Sequence, residues 1–206
     1  MAKKEQYDQE TIDAALQRQT PRLQTLYKDN VRKKVSDEFG IKNEMAMPAL
    51  DKITLNVNIG RHLDGTKVPA NVRDSVIHTL TTITGQKPVM LKAKKSVSNF
   101  KVREGYETAY KVTLRRERMW FFLDRLINLA APRIKDFRGL SDSAFDRQGN
   151  YSMGLTEQGV FPEINMAEQG FTHGMNINMS FANSSPELSR FVLAEMGMPF
   201  KKPENN

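Results

Sequence analysis

The amino-acid sequence predicts an α+β fold, with a mainly antiparallel sheet backed by amphipathic helices and a basic hairpin loop protruding from the sheet. The first observation is that several short segments alternate apolar and polar residues, as half-buried strands do. The second is that other segments carry apolar residues every three or four positions, as helices do, with short turns between elements. A chain of 206 residues, 39% of them apolar, is long enough for one sizeable core.

The first predicted helix follows a polar N-terminal extension, residues 1–20, in which Ile12 and Leu16 have helical spacing. Thr20 can cap this helix, and Pro21 suits its first position. Gly40 can end it. Its apolar face consists of Leu23, Leu26, Tyr27, Val35 and Phe39.

A strand, a helix and a second strand are predicted next. Residues 50–60 alternate, with Ile53, Leu55, Val57 and Ile59 on one face and Thr54, Asn56 and Asn58 on the other. A loop at 61–69 leads to a helix over 70–84, for which Gly85 is the stop signal. Residues 88–91 then form a short strand. The apolar stripe of the helix is Val72, Val76, Leu80 and Ile83.

The middle of the chain predicts two strands and a third helix. The strands are FKV at 100–102 and YETAYKVTL at 106–114. The helix covers 117–131, and Pro132 ends it. Residues 132–170 are rich in loop-forming residues, and we expect no regular element there.

The last part of the chain returns to regular structure. Alternation at 174–182 predicts a strand. The final helix opens at SSPE, where either Ser185 before Pro186, or Ser184 paired with Glu187, can provide the cap. Gly197 ends this helix before a polar tail at 202–206.

Composition excludes several classes of protein. The sequence contains no apolar run near the roughly 20 residues that cross a bilayer, so we expect no membrane partner. The N-terminus mixes acids and bases and matches neither a signal nor a transit peptide. With no cysteine, disulfides and thiolate metal sites are absent. A soluble intracellular protein is the expectation.

Positive charge is concentrated in one window. The chain has a net charge of +7, and residues 87–118 contain ten bases and three acids, a surplus that equals the charge of the whole chain. Such segregation is typical of proteins that bind polyanions. The alternative is a solvated basic face without a partner.

Within this window, KAKKSVSNFKVR at 92–103 carries five cations and no acid. Between two strands it forms a loop whose lysines can neutralise phosphates without reading sequence. Phe100 could stack on an unpaired base, but as the first residue of a strand it is predicted to lie in the core. Asparagine is disfavoured in strands, so Asn56 and Asn58 on one face indicate a polar surface with a partner. Hydroxyls and amides indicate RNA as the partner. An acidic membrane is disfavoured because the bases lie in strand and loop rather than on an amphipathic helix, and duplex DNA because no helix has an obvious recognition face of Arg, Asn or Gln.

Catalytic patterns are missing. The three histidines lie far apart, and neither a phosphate loop nor a nucleophile elbow is present. A metal-dependent nuclease is the enzymatic alternative, but loop carboxylates are mostly turn formers and solvated charges. Its candidate ligands would be Asp136, Asp142, Asp146, Glu157 and Glu163.

Seven motifs in order resemble one family, that of bacterial large-subunit ribosomal protein five, the 5S rRNA-binding protein of the central protuberance. The resemblance covers roughly residues 21–201, expected to form one ribosomal RNA-binding domain. The motifs are KITLN at 52–56, ITGQKP at 83–88, AKKSVSNFKVR at 93–103, KVTLRRERMW at 111–120, PRIKDFRGL at 132–140, GNYSMG at 149–154 and FPEI at 161–164.

The resemblance implies a role for each part of the surface. The family's 5S rRNA contacts match Asn56, Gln86 and Thr113, and we add the neighbouring Asn58, Lys87 and Arg115. The family's basic loop reaches peptidyl-site tRNA and matches Lys92, Lys94, Lys95, Ser96 and Ser98. The segment that bridges to small-subunit protein thirteen matches Arg133, Lys135, Asp136 and Arg138.

The resemblance therefore implies a structural, non-enzymatic component of the large ribosomal subunit, for which we expect no cofactor and no metal. Its expected partners are 5S rRNA, 23S rRNA, peptidyl-site tRNA, small-subunit protein thirteen and other proteins of the central protuberance. The expected location is the cytoplasm, bound to the ribosome. The alternative is an RNA-binding module or RNA chaperone that acts outside the ribosome.

Overall fold

The computed structural model describes residues 20–60, 68–100, 102–167 and 170–201, and these form a five-stranded sheet. All neighbouring strands are antiparallel, in the order β2-β3-β1-β5-β4. The antiparallel sheet with its helices confirms the predicted α+β fold. The strands are β1 (Ala49–Asn58), β2 (Val89–Lys92), β3 (Glu107–Leu114), β4 (Tyr151–Leu155) and β5 (Met175–Ala182).

Among the described residues, four helices accompany the sheet. Two of them contain a π-helical turn, in which the backbone hydrogen bonds are locally widened. The predicted extension and tail lie outside the described residues, except for Thr20. The helices are α1 (Arg22–Leu26, then π-helical Tyr27–Val31, then Arg32–Phe39), α2 (Ala70–Thr84), α3 (Arg116–Arg125, then π-helical Leu126–Ala130 and a 3₁₀ turn, Ala131–Arg133) and α4 (Pro186–Glu195).

The sheet has one apolar and one polar face because residues alternate along each strand. In β1, Ile53, Leu55 and Val57 are fully buried. The helices cover this apolar face and complete a single core, in which Tyr27 of α1 packs against Trp120 of α3 with ring centroids 5.6 Å apart. The opposite face of the sheet contributes no residue of its central strands to that core.

Helix ends follow the predicted signals in most places. Gly40 and Gly85 have φ angles of 68° and 65°, the left-handed conformation that glycine adopts most easily at a helix end. Ser185 caps α4, since its Oγ accepts a hydrogen bond from Leu188 N at 3.3 Å. Thr20 is not the cap of α1: Pro21 occupies that position, without a side-chain hydrogen bond.

Three further predictions are corrected by the structure. Residues 151–155 form the edge strand β4 within the segment expected to lack regular structure. The predicted strand at 100–102 is reduced to one bridge between Val97 and Val102, while Phe100 ends a 3₁₀ turn. Pro132 lies inside the closing 3₁₀ turn of α3 rather than after the helix, because a 3₁₀ turn at that position needs no donor from proline. In the described parts of the chain, no helix is long and apolar enough to span a membrane.

Candidate nucleic-acid interface

The polar face of the sheet is built by the register of four strands. Thr54 on β1 pairs with Thr113 on β3 and with Asn178 on β5. Two residues further along β1, Asn56 pairs with Lys111 and Asn176 in the same way. Directly paired residues point to the same face. The register therefore assembles hydroxyls, amides and ammonium groups into adjacent rows, which we call the polar face: Lys52, Thr54, Asn56, Asn58, Lys111, Thr113, Ser152, Asn176, Asn178 and Ser180.

This face is open to solvent in the described protein. Lys111 and Asn176 are exposed, and Thr54, Thr113 and Asn178 are half-buried. Exposed amides, hydroxyls and ammonium groups of this kind can form hydrogen bonds with a partner. The polar face therefore offers hydrogen-bonding groups from four strands on one surface.

Asn56 and Asn58 differ in how much of their amide is free. The Oδ1 atom of Asn56 is buried and has no hydrogen-bond partner within the described residues. The Oδ1 atom of Asn58 accepts a hydrogen bond from Gly60 N at 2.8 Å, which fixes the turn after β1. A buried acceptor left unpaired costs free energy, so Asn56 is the stronger candidate for a contact that the free protein lacks.

The sequence reasoning missed Asn176 and Asn178, which stand beside Asn56 and Thr54. A signal was present, because MNINMS at 175–180 repeats the pattern of asparagines at alternate positions seen in LNVN at 55–58. What the sequence did not contain was the pairing of β1 with β5, which brings the two patterns side by side.

Arg115 continues the polar face beyond the end of β3. Its backbone is extended, with φ of −139° and ψ of 164°, so the alternation of β3 reaches it and places it on the face of Thr113. Thr113 and Thr54 occupy the same row. The structure therefore brings the predicted residues Asn56, Asn58, Thr113 and Arg115 together on one surface.

Gln86 and Lys87 lie in the turn between α2 and β2 rather than on the sheet. The carbonyl oxygen of Ile83, at the end of α2, accepts a hydrogen bond at 2.7 Å from Arg125, whose guanidinium also pairs with Glu163 at 2.6 Å. Gln86 N donates to Thr84 Oγ1 at 3.2 Å. The turn is thus anchored on α3. It leads into Val89, which pairs with Lys111 of the polar face.

The connection between β2 and β3 is held together by hydrogen bonds next to the strands, and most of its residues are exposed. Ala93 N donates to Tyr106 O at 2.8 Å, and Ser96 Oγ accepts from Glu104 N at 2.9 Å. Lys92 and residues 94–100 are exposed. Ser96 therefore has a structural contact within the connection, whereas the predicted cations Lys92, Lys94 and Lys95 and the hydroxyl of Ser98 face solvent.

Phe100 is 77% exposed, so the prediction that it lies in the core is wrong. The reason is local: residues 98–100 form a 3₁₀ turn, so Phe100 does not begin a paired strand whose alternation would direct it inward. An exposed aromatic ring among cations is available for stacking on a base.

Arg133, Lys135, Asp136 and Arg138 line a cavity of about 850 Å³ beside the edge strand β4. The segment that carries them is attached to the end of the chain, since Leu140 N donates to Pro199 O at 2.8 Å and Lys201 N donates to Leu140 O at 2.9 Å. The walls of the cavity therefore combine the predicted bridge region with β4 and Lys201.

The loop carboxylates do not assemble a metal site. Across the described ranges, no three histidine, cysteine, aspartate or glutamate side chains are placed to hold a metal ion. Hydrogen bonds from the side chain and backbone of Asn150 lower the pKa of Asp146, which serves the turn before β4. Glu163 pairs with Arg125, and Asp142 pairs with Arg190 at 3.3 Å. The nuclease alternative thus lacks an assembled set of ligands in this part of the chain.

The antiparallel α+β fold presents an open polar face with adjoining cations, an arrangement that suits a polyanionic partner. Comparison with known families specifies it further. The family model described as ribosomal protein L5 matches residues 43–103, and a second model, which describes the C-terminus of the same ribosomal family, matches residues 107–200. Together these matches cover well over half of the chain, which therefore belongs to the ribosomal protein L5 family.

Curated relatives agree with the family models. The Chlorobium luteolum protein is 44% identical over 194 residues, covering 94% of this chain and 98% of the relative. The Bdellovibrio bacteriovorus protein is 46% identical over 181 residues, covering 88% of this chain and 99% of the relative. The Synechocystis protein is 45% identical over 182 residues, with the same coverage, and all three are named large ribosomal subunit protein uL5.

Family membership confirms several predictions from the sequence. The chain is a structural protein of the large ribosomal subunit and not an enzyme. Its partners are ribosomal RNA and ribosomal proteins, and its location is the ribosome.

Proposed function

We propose that this protein binds 5S rRNA on the polar face and attaches it to 23S rRNA in the central protuberance. The observation that carries the proposal is the polar face itself, an uncovered surface of amides and hydroxyls in which the buried Oδ1 of Asn56 has no partner within the described residues. Uncharged polar groups read RNA sugars and base edges, whereas lysines mainly contribute charge.

The sheet gives this surface its rigidity. Side chains on paired strands are held at fixed spacing, so a folded RNA meets a preformed array and little ordering is required on binding. Lys111 stands between Asn56 and Val89 across the paired strands, and Arg115 extends the surface at its end. These two cations supply phosphate contacts around a mainly uncharged centre. Gln86 and Lys87 extend the same interface from the anchored turn.

The connection between β2 and β3 has a different function in this proposal. It protrudes toward peptidyl-site tRNA, with Lys92, Lys94, Lys95, Ser96 and Ser98 as its contacts. Contact with many different tRNAs must be independent of sequence, and lysines on backbone phosphates meet that requirement. Ser96 contributes chiefly by fixing the loop, because its Oγ is already bonded to Glu104 N.

The cavity beside β4 is the proposed contact region for small-subunit protein thirteen. Arg133, Lys135, Asp136 and Arg138 present both signs of charge around one concave surface, which suits ion pairs with a protein partner better than contact with a uniform phosphate backbone. Other proteins of the central protuberance complete the set of partners.

One matched pair of variants tests the 5S rRNA interface. Asn176→Ala removes an exposed amide from the polar face, and Asn30→Ala removes an exposed amide from α1 on the helical side. We expect Asn176→Ala to weaken binding of folded 5S rRNA about 5- to 150-fold, the equivalent of ~1 to 3 kcal/mol, and Asn30→Ala to leave it unchanged. Equal affinities for the two variants would exclude the polar face as the binding surface.

The alternative of a module acting outside the ribosome shares the polar face and the cations. Sedimentation of the protein with large subunits separates the two functions. Stoichiometric sedimentation at high salt supports the ribosomal function, and recovery mainly in free RNA complexes supports the alternative.

A further inference from the structure

The outer edge of β4 carries backbone groups that the sheet does not use. Ser152 N donates to Ala144 O at 3.2 Å, and this acceptor lies on the side of β4 that faces away from β5. In an antiparallel ladder, the backbone groups of every second residue point to the same side. The N–H and C=O of Gly154 therefore also point away from β5, and neither has a hydrogen-bond partner on that side among the described residues.

The chain itself covers only the start of this edge. Phe145 forms a bridge with Tyr151, the first residue of β4. The segment before it turns instead to the end of the described chain, where Leu140 N donates to Pro199 O. Gly154 is exposed and lines the cavity of about 850 Å³. The unused backbone groups of β4 thus lie at a wall of that cavity.

Positive charge predominates around the same cavity. Its lining contains four cations and two acids, Asp136 and Glu157. The cations are exposed, and none of them forms an ion pair within the described ranges of the chain. Charge complementarity therefore favours an occupant that carries acids. The four cations are Arg133, Lys135, Arg138 and Lys201.

The backbone of Gly154 favours a peptide over RNA as that occupant. An extended peptide offers both N–H and C=O groups, which match the free C=O and N–H of a strand edge. A phosphate backbone offers acceptors but no donor, and Asp136 and Glu157 repel it. Met153, next to Gly154, is partly buried against the core, so an added strand also finds an apolar contact beside the edge.

We propose that the edge of β4 binds an extended, acidic segment of a partner protein by strand addition. The added strand pairs with Gly154 through main-chain hydrogen bonds, and its acidic side chains pair with the cations of the cavity. The inference rests on the proposed function only in that the cavity contacts a protein. It specifies the conformation and the charge of the segment that is bound.

A synthetic peptide tests this mode of binding on the full-length protein without RNA. The probe is a capped hexapeptide of alternating glutamate and valine, and binding is followed by NMR of the backbone amides. We expect a saturable shift and slower hydrogen exchange at the amide of Gly154, with no change at β2, the other edge strand of the sheet. A shift centred on β2, or none at Gly154, would overturn the proposal.

Gly154 offers a matched pair of variants. Gly154→Pro removes the outward N–H and leaves the hydrogen bonds to β5 in place. Gly154→Ala keeps the N–H, and its Cβ has room because the nearest atom is Asn176 Oδ1 at 3.6 Å. We expect Gly154→Pro to weaken binding of the peptide about fivefold or more, and Gly154→Ala to leave it unchanged. Equal affinities of the two variants would contradict strand addition.

Modified probes test the same contacts on the natural chain, where no variant has to fold. Methylation of alternate backbone nitrogens removes the donors of the glutamate–valine peptide, and we expect the shift of the Gly154 amide to disappear. A lysine–valine hexapeptide should bind more weakly than the acidic one. Unchanged binding of either modified peptide, or displacement of the acidic peptide from Gly154 by a short single-stranded RNA, would refute the proposal.

Cross-linking from Lys135 to small-subunit protein thirteen in assembled ribosomes tests the proposed function of the cavity separately. If the cross-link forms but the acidic peptide does not bind, strand addition is refuted and the proposed bridge is retained. If the peptide binds at Gly154 and the cross-link does not form, strand addition is supported and the partner is a different protein.

Discussion

Replacement of Asn56 by valine should raise the stability of the free protein and lower its affinity for RNA. The Oδ1 atom of Asn56 is buried on the polar face without a partner among the described residues. An unsatisfied buried acceptor costs roughly 1 to 3 kcal/mol, and valine also suits a central strand better than asparagine does. Asn56→Val removes the unpaired atom while its apolar side chain remains against Thr54, Lys111 and Asn176.

The magnitude depends on how much of the desolvation cost is recovered. Since Asn56 as a residue is only half-buried, we take the lower end and expect a gain of about 1 kcal/mol in the free energy of unfolding, or roughly 2 to 4 °C in Tm for a chain of this size. Affinity for 5S rRNA should fall by ~1 to 3 kcal/mol because the hydrogen bond made in the complex is lost.

The assay pairs urea unfolding with 5S rRNA binding on the same preparations. Asn176→Val is the matched control: it stands beside Asn56 in the same row, but its side chain is exposed. It should lose RNA affinity without the gain from removing a buried unpaired oxygen. If Asn56→Val destabilises the free protein by about 1 kcal/mol or more, or binds 5S rRNA as the natural chain does, the reasoning about Asn56 is refuted.

Three further predictions concern other parts of the structure. Replacing Lys92, Lys94 and Lys95 by alanine should leave 5S rRNA affinity nearly unchanged but weaken tRNA contact in assembled ribosomes, measured by protection from chemical probes. An equally large loss of 5S rRNA binding would show that the loop belongs to the 5S rRNA interface instead. Arg116 has a φ angle of 54°, which glycine adopts more easily than arginine, so Arg116→Gly should stabilise the protein by about 1 kcal/mol in urea unfolding. The control Arg118→Gly lies in the regular helix and should destabilise the protein by about 1 kcal/mol. Stability changes of the same sign in the two variants would contradict this prediction. Burial lowers the pKa of His173, so the unfolded chain binds more protons at this residue and the free energy of unfolding should fall as the pH drops below about 6.5. His173→Phe should flatten this dependence of stability on pH between about pH 5 and 7. An unchanged dependence would assign it to other titratable groups.

Much of the fold was predictable because alternation and helical spacing reflect burial directly. β1, α2, β3 and β5 lie within a few residues of the predicted segments. β4 was missed because YSMGL is short and contains Gly154, which weakens any strand signal; its strand character comes from pairing with β5. The π-helical turns in α1 and α3 were not predicted from the sequence.

The candidate site was predictable in part. Asparagine at alternate positions of one strand indicated a polar surface at Asn56 and Asn58, and the structure adds the Asn58 contact that fixes a turn. Asn176 carried the same signal, yet its position beside Asn56 follows only from long-range strand pairing. Phe100 was misplaced because a local 3₁₀ turn replaces the strand that would have buried it.

The most direct test of the central claim is competition binding of the purified protein to folded 5S rRNA at two salt concentrations. tRNA and random RNA serve as competitors. Recognition by a preformed polar face predicts selective binding of 5S rRNA that persists at the higher salt, because uncharged hydrogen bonds are not screened as phosphate contacts are. Equal binding of all three RNAs, lost together as salt rises, would contradict the account and leave only a cationic patch.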